Sequence, residues 1–225
     1  MQAPTSKPII VSKHEHAISK DRSSDLCELT TAQEEADTRM FLHATHDTMS
    51  GAKRITLKPN DTVILVLTIS HFSTLQQYGL EELFLYFGKT TALRKIIPIH
   101  DVAASLGLEL CKGLLFFHAF TGCDAVSGFR FKGKKSFWTT WKSNPDISSL
   151  FATLSDCPQD VTNADMESLE KFVVATYNKQ SRTHRVNECR LDLFAHKNRP
   201  YDAIPPTFGA LVQHVRRAAY IAGWV

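Results

Sequence analysis

The sequence contains little of what marks an exported or membrane-spanning protein. Its longest apolar run, Val63–Ile69, is far shorter than the ~20 residues that a helix needs to cross a bilayer. Met1–Lys20 is polar and has no apolar central region, so it does not resemble a secretory leader. We therefore expect an intracellular protein of the nucleus or cytoplasm that is neither secreted nor membrane-bound.

Closely spaced cysteine pairs are absent as well. The five cysteines include no C-x-x-C pair, and their odd number fits reduced thiols inside a cell. A zinc site built from cysteines and nearby histidines is a minor alternative, because structural zinc ligands usually stand in close pairs. The cysteines are Cys27, Cys111, Cys123, Cys157 and Cys189.

Neither composition nor charge is extreme. Hydrophobic residues make up 43% of the chain and charged residues 22%, which is typical of a globular protein and not of a disordered one. A length of 225 residues is enough for one sizeable domain, with or without a helical extension. The net charge of +3 is too small to indicate nucleic-acid binding, so the clustering of the charges matters more.

Strand-like and helix-like segments alternate first, and helices then follow alone. Thr31 and Glu34 have the spacing of a capping box, which predicts a helix that runs to about Met49. This order predicts an α/β core followed by helices. We expect a polar lead-in over residues 1–30, the core over residues 31–145 and a helical region over residues 146–225. The predicted strands are Pro8–Ser12, Lys53–Lys58, Leu83–Phe87 and Lys95–Ile99, and the later helices are Asp101–Leu106, Glu109–Phe120, Lys134–Lys142, Ile147–Leu154, Ala164–Tyr177, Glu188–Ala195 and Thr207–Ile221.

Three acidic motifs occur in order along the first half of the chain. Glu35 and Asp37 open the predicted helix, Asp61 follows a strand candidate, and Asp124 ends the run Phe-Thr-Gly-Cys-Asp. These motifs resemble, in the same order, the E-A-D-D, D-x-D and L-T-G-D elements of the flap-type and polymerase-associated 5′-nucleases, a PIN-like family. The resemblance covers about Thr31–Trp141.

The resemblance implies both a fold and a chemistry. The fold is a PIN-like three-layer α/β fold with a central, mostly parallel sheet, without the family's N-terminal strand region, followed by helix-hairpin-type and further helices. The cofactor is Mg²⁺ or Mn²⁺, because hydrolysis of phosphodiesters by two metals relies on oxygen ligands. The resemblance implies Glu35, Asp37 and Asp124 as catalytic residues that hold the metal, with Asp61 as a further metal ligand.

Val63–Ser70 supports two interpretations. Its β-branched, continuously apolar composition alone predicts a buried strand. The resemblance instead implies a short helix after the D-x-D element, with Thr62 as its N-cap. We favour the helix.

Several positions depart from the family pattern. Asn60 and Thr62 stand where D-x-D has carboxylates, and Thr38 replaces the second aspartate of E-A-D-D. In an extended segment neighbouring side chains point to opposite sides, so Asp61 is predicted to face away from the expected ligand positions. We therefore expect weak metal binding. Ordinary alternatives are first-turn acids that stabilise a helix N-terminus and, for Asp124, a turn residue.

The densest positive cluster follows Asp124. Basic and aromatic residues alternate there, which suits a nucleic-acid backbone, although a solvated helix start is an ordinary alternative. Gly128, Gly133, Lys134 and Lys135 resemble the family's helix-hairpin motif, which holds DNA phosphates. The predicted nucleic-acid-binding residues are Arg130, Lys132, Lys134, Lys135 and Lys142, and the interleaved aromatic residues are Phe129, Phe131, Phe137, Trp138 and Trp141.

Three hypotheses for function stay open. The first is a degenerate 5′-nuclease-like domain that binds nucleic acid, DNA rather than RNA, with weak or no phosphodiester cleavage. The second is an active, magnesium-dependent, structure-specific nuclease completed by a missing N-terminal segment or a protein partner. The third is a non-enzymatic interaction scaffold, since a fold does not determine a function. The basic C-terminal region, which includes Arg190 and Arg199, either binds nucleic acid or docks onto the core.

Overall fold

The chain folds into two compact units. The computed structural model describes residues 10–13, 16–19, 29, 36–59, 61, 63–88, 95–156, 160–195 and 199–223. Unit 1 comprises Met1–Thr68 and Phe72–Val102, and unit 2 comprises Ile69–His71 and Ala103–Val225. The boundary predicted between residues 145 and 146 lies inside unit 2.

Unit 1 combines short strands with helices. Its elements in chain order are β1 (Ile10–Lys13), β2 (His16–Ser19), α1 (Ala36–Met49), β3 (Arg54–Leu57), α2 (Val63–Gln77), β4 (Glu82–Phe87) and β5 (Lys95–Pro98). β1 and β2 form an antiparallel pair, and β3, β4 and β5 form a separate three-stranded sheet in that order. The predicted α/β class is therefore confirmed.

The three-stranded sheet is mixed. β3 and β4 are parallel, with Ile55 opposite Leu83, whereas β4 and β5 are antiparallel. A parallel neighbour requires a long crossover, which α2 supplies between β3 and β4. The connection from Phe87 to Lys95 is too short for such a crossover, so β5 turns back. Among the described strands, the sheet is thus small and mixed and not mostly parallel.

The ambiguous segment after β3 is helical. α2 spans Val63–Gln77, which confirms the helix and excludes the strand that local composition favours. Ile64 and Leu67 lie one turn apart and are completely buried, and such burial outweighs the β preference of branched side chains. The first N–H of the helix donates to Oδ1 of Asp61 over 3.1 Å, so Asp61 caps the helix. The predicted cap, Thr62, lies outside the described residues.

Unit 2 is helical, and α4 lies at its centre. α3 (Ile99–Leu106) crosses from unit 1 into unit 2. The elements that follow are α4 (Leu108–Phe120), α5 (Lys134–Ser143), α6 (Ser148–Asp156), α7 (Asn163–Tyr177), α8 (Val186–Ala195) and α9 (Phe208–Ala222), with 3₁₀ turns at Pro145–Ile147 and Tyr201–Ala203. α4 packs mainly against α6 and α9. The helices predicted for this region are confirmed, with ends that differ by one or two residues.

Aromatic rings fill the core of unit 2. The ring centroid of Phe120 lies 5.4 Å from that of Phe116 and 5.1 Å from that of Phe129. Gly113 lets α6 approach α4 closely, because a Cβ at this position would lie 2.8 Å from Cβ of Phe151. Buried aromatic side chains contribute much of the apolar area of a core, so this cluster stabilises unit 2.

Among the described helices, no single one is both long and apolar enough to cross a membrane. The bent pair α3 and α4 passes this test jointly, on length and composition alone, and α4 is largely buried within unit 2.

Candidate nucleic-acid interface

Three of the four predicted metal-binding acids belong to unit 1. Glu35 lies outside the described residues. Asp37 falls in the first turn of α1, and its side chain also lies outside what the structure describes. Asp61 is exposed, and its Oδ1 accepts the hydrogen bond that begins α2. One carboxylate oxygen of Asp61 is thus committed to a helix cap.

Asp124 lies in unit 2, in a tight turn that directly follows α4. Cys123 and Val126 face each other in this turn and exchange backbone hydrogen bonds of 2.9 and 3.2 Å, while Asp124 is exposed between them. Gly122 precedes the turn with a φ of +110°, and a Cβ there would lie 2.8 Å from Cα of Gly128. Only glycine fits this crossing of two backbone segments. The geometry therefore explains the glycine of the motif through backbone packing.

The predicted metal site stays a prediction. Within the described ranges, no group of three or more His, Cys, Asp or Glu side chains is placed to hold a metal ion. That finding includes Asp61 and Asp124 but does not extend to Glu35 or to the side chain of Asp37.

A shallow groove of about 270 Å³ lies beside the Asp124 turn. Ala125 forms one wall, and the second half of α9 forms the other with Gln213, Arg216, Arg217 and Tyr220. Within the described part of the chain, neither arginine forms an ion pair with a carboxylate. The groove is therefore positively charged.

The predicted phosphate ligand Lys134 has three acceptors within its own unit. Its Nζ donates to the carbonyl of His118 over 2.9 Å, to Oγ1 of Thr121 over 3.1 Å and to the carbonyl of Gly122 over 2.5 Å. These contacts use the three N–H donors of the ammonium group. Burial lowers the pKa of Lys134. Binding a phosphate through this lysine would require it to leave the C-terminal end of α4.

Lys135 and Lys142 belong to a different surface. Both are exposed, and their separation by two helical turns places them on one face of α5 together with Thr139. This face is available to a polyanion without disturbing the core.

Arg130 and Lys132 lie in a second turn, which joins the Asp124 region to α5. The N–H of Lys132 donates to the carbonyl of Phe129 over 3.1 Å and closes the turn. Arg130 forms a 2.9 Å ion pair with Asp202. The hydroxyl of Tyr177 donates to the carbonyl of Arg130 over 3.4 Å. The turn is thus attached both to the end of α7 and to the 3₁₀ turn before α9.

Cations from three segments converge at this second turn. Nζ of Lys132 lies 5.5 Å from the ring centroid of Tyr177, near the end of α7. Burial lowers the pKa of Lys132, and the charges of Arg199 and Lys179 lower it further. Burial also raises the pKa of Tyr177 to about 12, so its hydroxyl stays protonated. Arg130, Lys132, Lys179 and Arg199 are called the basic surface below.

The sequence interpretation missed part of this surface. The sequence patterns assign Lys179 to no site and place Arg199 only in the basic C-terminal region. Both follow the ends of helices, after α7 and after α8, where local patterns carry no information about distant neighbours. Within the described residues, Lys132, Lys179 and Arg199 form no ion pair with a carboxylate.

The interleaved aromatic residues mostly belong to the core. Phe129, Phe137 and Trp141 are buried. Trp138 is half-buried and packs its ring 5.6 Å from that of Phe117. Phe131 alone among the five is exposed, at 68%. Basic and aromatic residues therefore alternate in this segment mainly because exposed positions alternate with buried ones.

Comparison with known proteins finds no matching family model, no matching curated protein and no matching solved structure. The likeness to 5′-nucleases therefore depends on the motifs and their order.

Proposed function

We propose that this chain is a degenerate, PIN-like 5′-nuclease domain that binds nucleic acid, DNA in preference to RNA, with weak or no phosphodiester cleavage. The observation that supports binding most directly is the basic surface. Nζ of Lys132 lies 5.5 Å from the ring centroid of Tyr177, two residues before Lys179, and Lys132 also feels the charge of Arg199. None of these three cations has a carboxylate partner among the described residues. Like charges that lie close together repel each other and destabilise the folded chain. A polyanion that contacts all of them relieves this repulsion, and the release of its counterions favours binding.

The order of elements supports the family assignment. A helix begins near Asp37, Asp61 lies between β3 and α2 of a β3–α2–β4 unit with parallel strands, and α4 ends at the turn that carries Asp124. The family's motifs fall at the same kinds of positions, a helix start, a strand end and a turn after a helix. The mixed sheet is a departure from that pattern.

Weak catalysis is the expectation from the carboxylates. Asn60 and Thr62 offer no charge where the family has ligands, and Asp61 uses Oδ1 to cap α2. The chemistry that a bound magnesium ion would supply is activation of water and neutralisation of the leaving oxyanion. The resemblance alone implies Glu35, Asp37, Asp61 and Asp124 as the residues that would hold such an ion.

The binding test is fluorescence anisotropy with labelled DNA and RNA over a range of salt concentrations. We expect the double variant Lys179→Gln/Arg199→Gln to bind more weakly and to reduce the slope of log Kd against log salt by roughly 2, about one for each cation removed. The matched control, Lys95→Gln/Lys112→Gln, removes the same charge from exposed lysines outside the basic surface and should keep the wild-type slope. If the two double variants gave equal slopes, nucleic-acid binding could not be assigned to the basic surface.

The catalytic test is cleavage of a labelled 5′-flap DNA with Mg²⁺ or Mn²⁺, with Asp124→Ala as the control. We expect salt-dependent binding with little or no cutting. Metal-dependent cutting that disappears in Asp124→Ala would instead establish the chain as an active nuclease. Neither binding nor cutting would leave the interaction scaffold as the remaining function.

A further inference from the structure

The turn beside the basic surface displays an aromatic ring in an unfavourable backbone conformation. Phe131 has a φ of 58°, the only positive φ among the described residues other than glycine. Its position in the turn is one that glycine or asparagine ordinarily occupies, because a Cβ is strained there. Phe131 as a residue is 68% exposed, so core packing does not offset the strain. Residues held in such conformations cluster at binding sites.

Phe131 does not stand alone on this surface. The guanidinium of Arg130 lies 5.2 Å from the centroid of the Phe131 ring, and Arg130 is held by its ion pair with Asp202. Beside Asp202, Tyr201 exposes 72% of its surface, and the guanidinium of Arg190 lies 5.3 Å from the Tyr201 ring. Two exposed rings, each with an arginine against it, are thus joined by one ion pair. Phe131 and Tyr201 are called the aromatic platform below.

We infer that the aromatic platform stacks unpaired bases of a single-stranded nucleic acid whose phosphates lie on Lys132, Lys179 and Arg199. This inference rests on the proposed nucleic-acid binding and adds the class of substrate. Every base has a π face, so aromatic side chains next to a basic groove bind single strands with little sequence preference, and adjacent arginines strengthen the stack. The bases of a duplex are stacked on each other and cannot reach the rings along its length.

Because the backbone at Phe131 is strained, replacing the residue with glycine distinguishes a binding role of the ring from a structural role. If the ring served stability, its replacement by glycine would destabilise the fold. If it serves stacking, Phe131→Gly relieves the backbone strain while it removes the ring. We therefore expect Phe131→Gly to melt at the same temperature as wild type or higher, and to bind single strands roughly tenfold more weakly or worse.

The experiment measures the affinity of a labelled oligothymidine and of a duplex of equal length for wild type, Phe131→Gly, Phe131→Trp and Tyr78→Ala. Phe131→Trp keeps an aromatic ring and should retain binding. The oligonucleotide should quench the tryptophan fluorescence of this variant more than that of wild type. Tyr78→Ala removes an exposed ring from unit 1 and should leave both affinities unchanged. Duplex affinity should change less than twofold in Phe131→Gly.

The outcomes separate this inference from the proposed function. Wild type that binds no nucleic acid at low salt would overturn both. If Phe131→Gly bound single strands as tightly as wild type does, the stacking role of the aromatic platform would be overturned, but the proposed function would stand. A lower melting temperature with equal losses for single strand and duplex would mean a structural role. Competition by polyglutamate that is as strong as competition by oligothymidine would mean that the surface binds polyanions without reading bases.

Discussion

The ammonium group of Lys134 lies 2.5 Å from the carbonyl oxygen of Gly122. The same group also contacts the carbonyl of His118, so a lysine from the start of α5 closes the C-terminal end of α4, where a positive charge is favourable. Lys134 thereby holds the turn that carries Asp124 against α5. One of the lysines that the resemblance assigns to phosphate binding is thus engaged within the fold.

Lys134 and Lys135 should therefore respond differently to the loss of charge. We expect Lys134→Gln to lower the free energy of unfolding by about 1–2 kcal/mol, because charged hydrogen bonds to the end of α4 are lost. Lys134 and Lys135 are both exposed, but only the ammonium group of Lys134 donates to the end of α4, so Lys135→Gln should stay within about 0.5 kcal/mol of wild type. Urea denaturation of both variants measures the difference. Equal stability of the two would contradict the capping role.

Gly122 should be intolerant of even one added methyl group. Gly122→Ala combines a φ of +110° with a Cβ 2.8 Å from Cα of Gly128, so backbone has to move and we expect a loss of more than about 2 kcal/mol. Gly209, on the first turn of α9, has no heavy atom within 4 Å of the corresponding Cβ. Gly209→Ala should stabilise the fold by about 0.4–1 kcal/mol. Thermal melts of both variants test the opposite signs.

His214 should make the fold less stable in mild acid. It is buried, and its Nε2 lies 2.7 Å from the carbonyl of Phe120, to which it donates. Burial lowers the pKa of His214, and the charge of Arg217 lowers it too, against the opposing effect of the Phe120 hydrogen bond. In the unfolded chain the pKa is about 6.5, so that state takes up a proton first.

The stability contributed by His214 is thus present above pH about 6.5 and is lost as the pH falls through the lowered folded pKa. Denaturation of wild type and His214→Gln at several pH values between 7.5 and 5 tests this. The variant should be less stable at pH 7.5, and the gap should narrow as the pH falls. Burial lowers the pKa of His43 as well. Because His43 is present in both proteins, its contribution cancels in the difference between the two stability curves. A constant gap would show that His214 does not titrate in this range.

Most helices were predictable because their signals are local. α7 begins after Thr162 and α9 after Thr207, and each threonine side chain accepts an N–H bond from the first turn. α2 was harder, since its branched apolar residues favour a strand by themselves, and the choice of a helix came from the 5′-nuclease resemblance. The mixed sheet was not foreseen, because strand direction follows from the length and path of a connection.

The sequence by itself determined the α/β class, the positions of most helices and the presence of a basic segment rich in aromatics, all of which depend on residues close together in the chain. Only the tertiary structure decided where those side chains go. It placed Lys134 on the end of α4 and brought Arg130 to Tyr177 across a separation of 47 residues. It also left Phe131 exposed while its neighbours entered the core. Long-range packing decides these positions, because whether a side chain is buried or exposed depends on contacts with residues far away in the sequence.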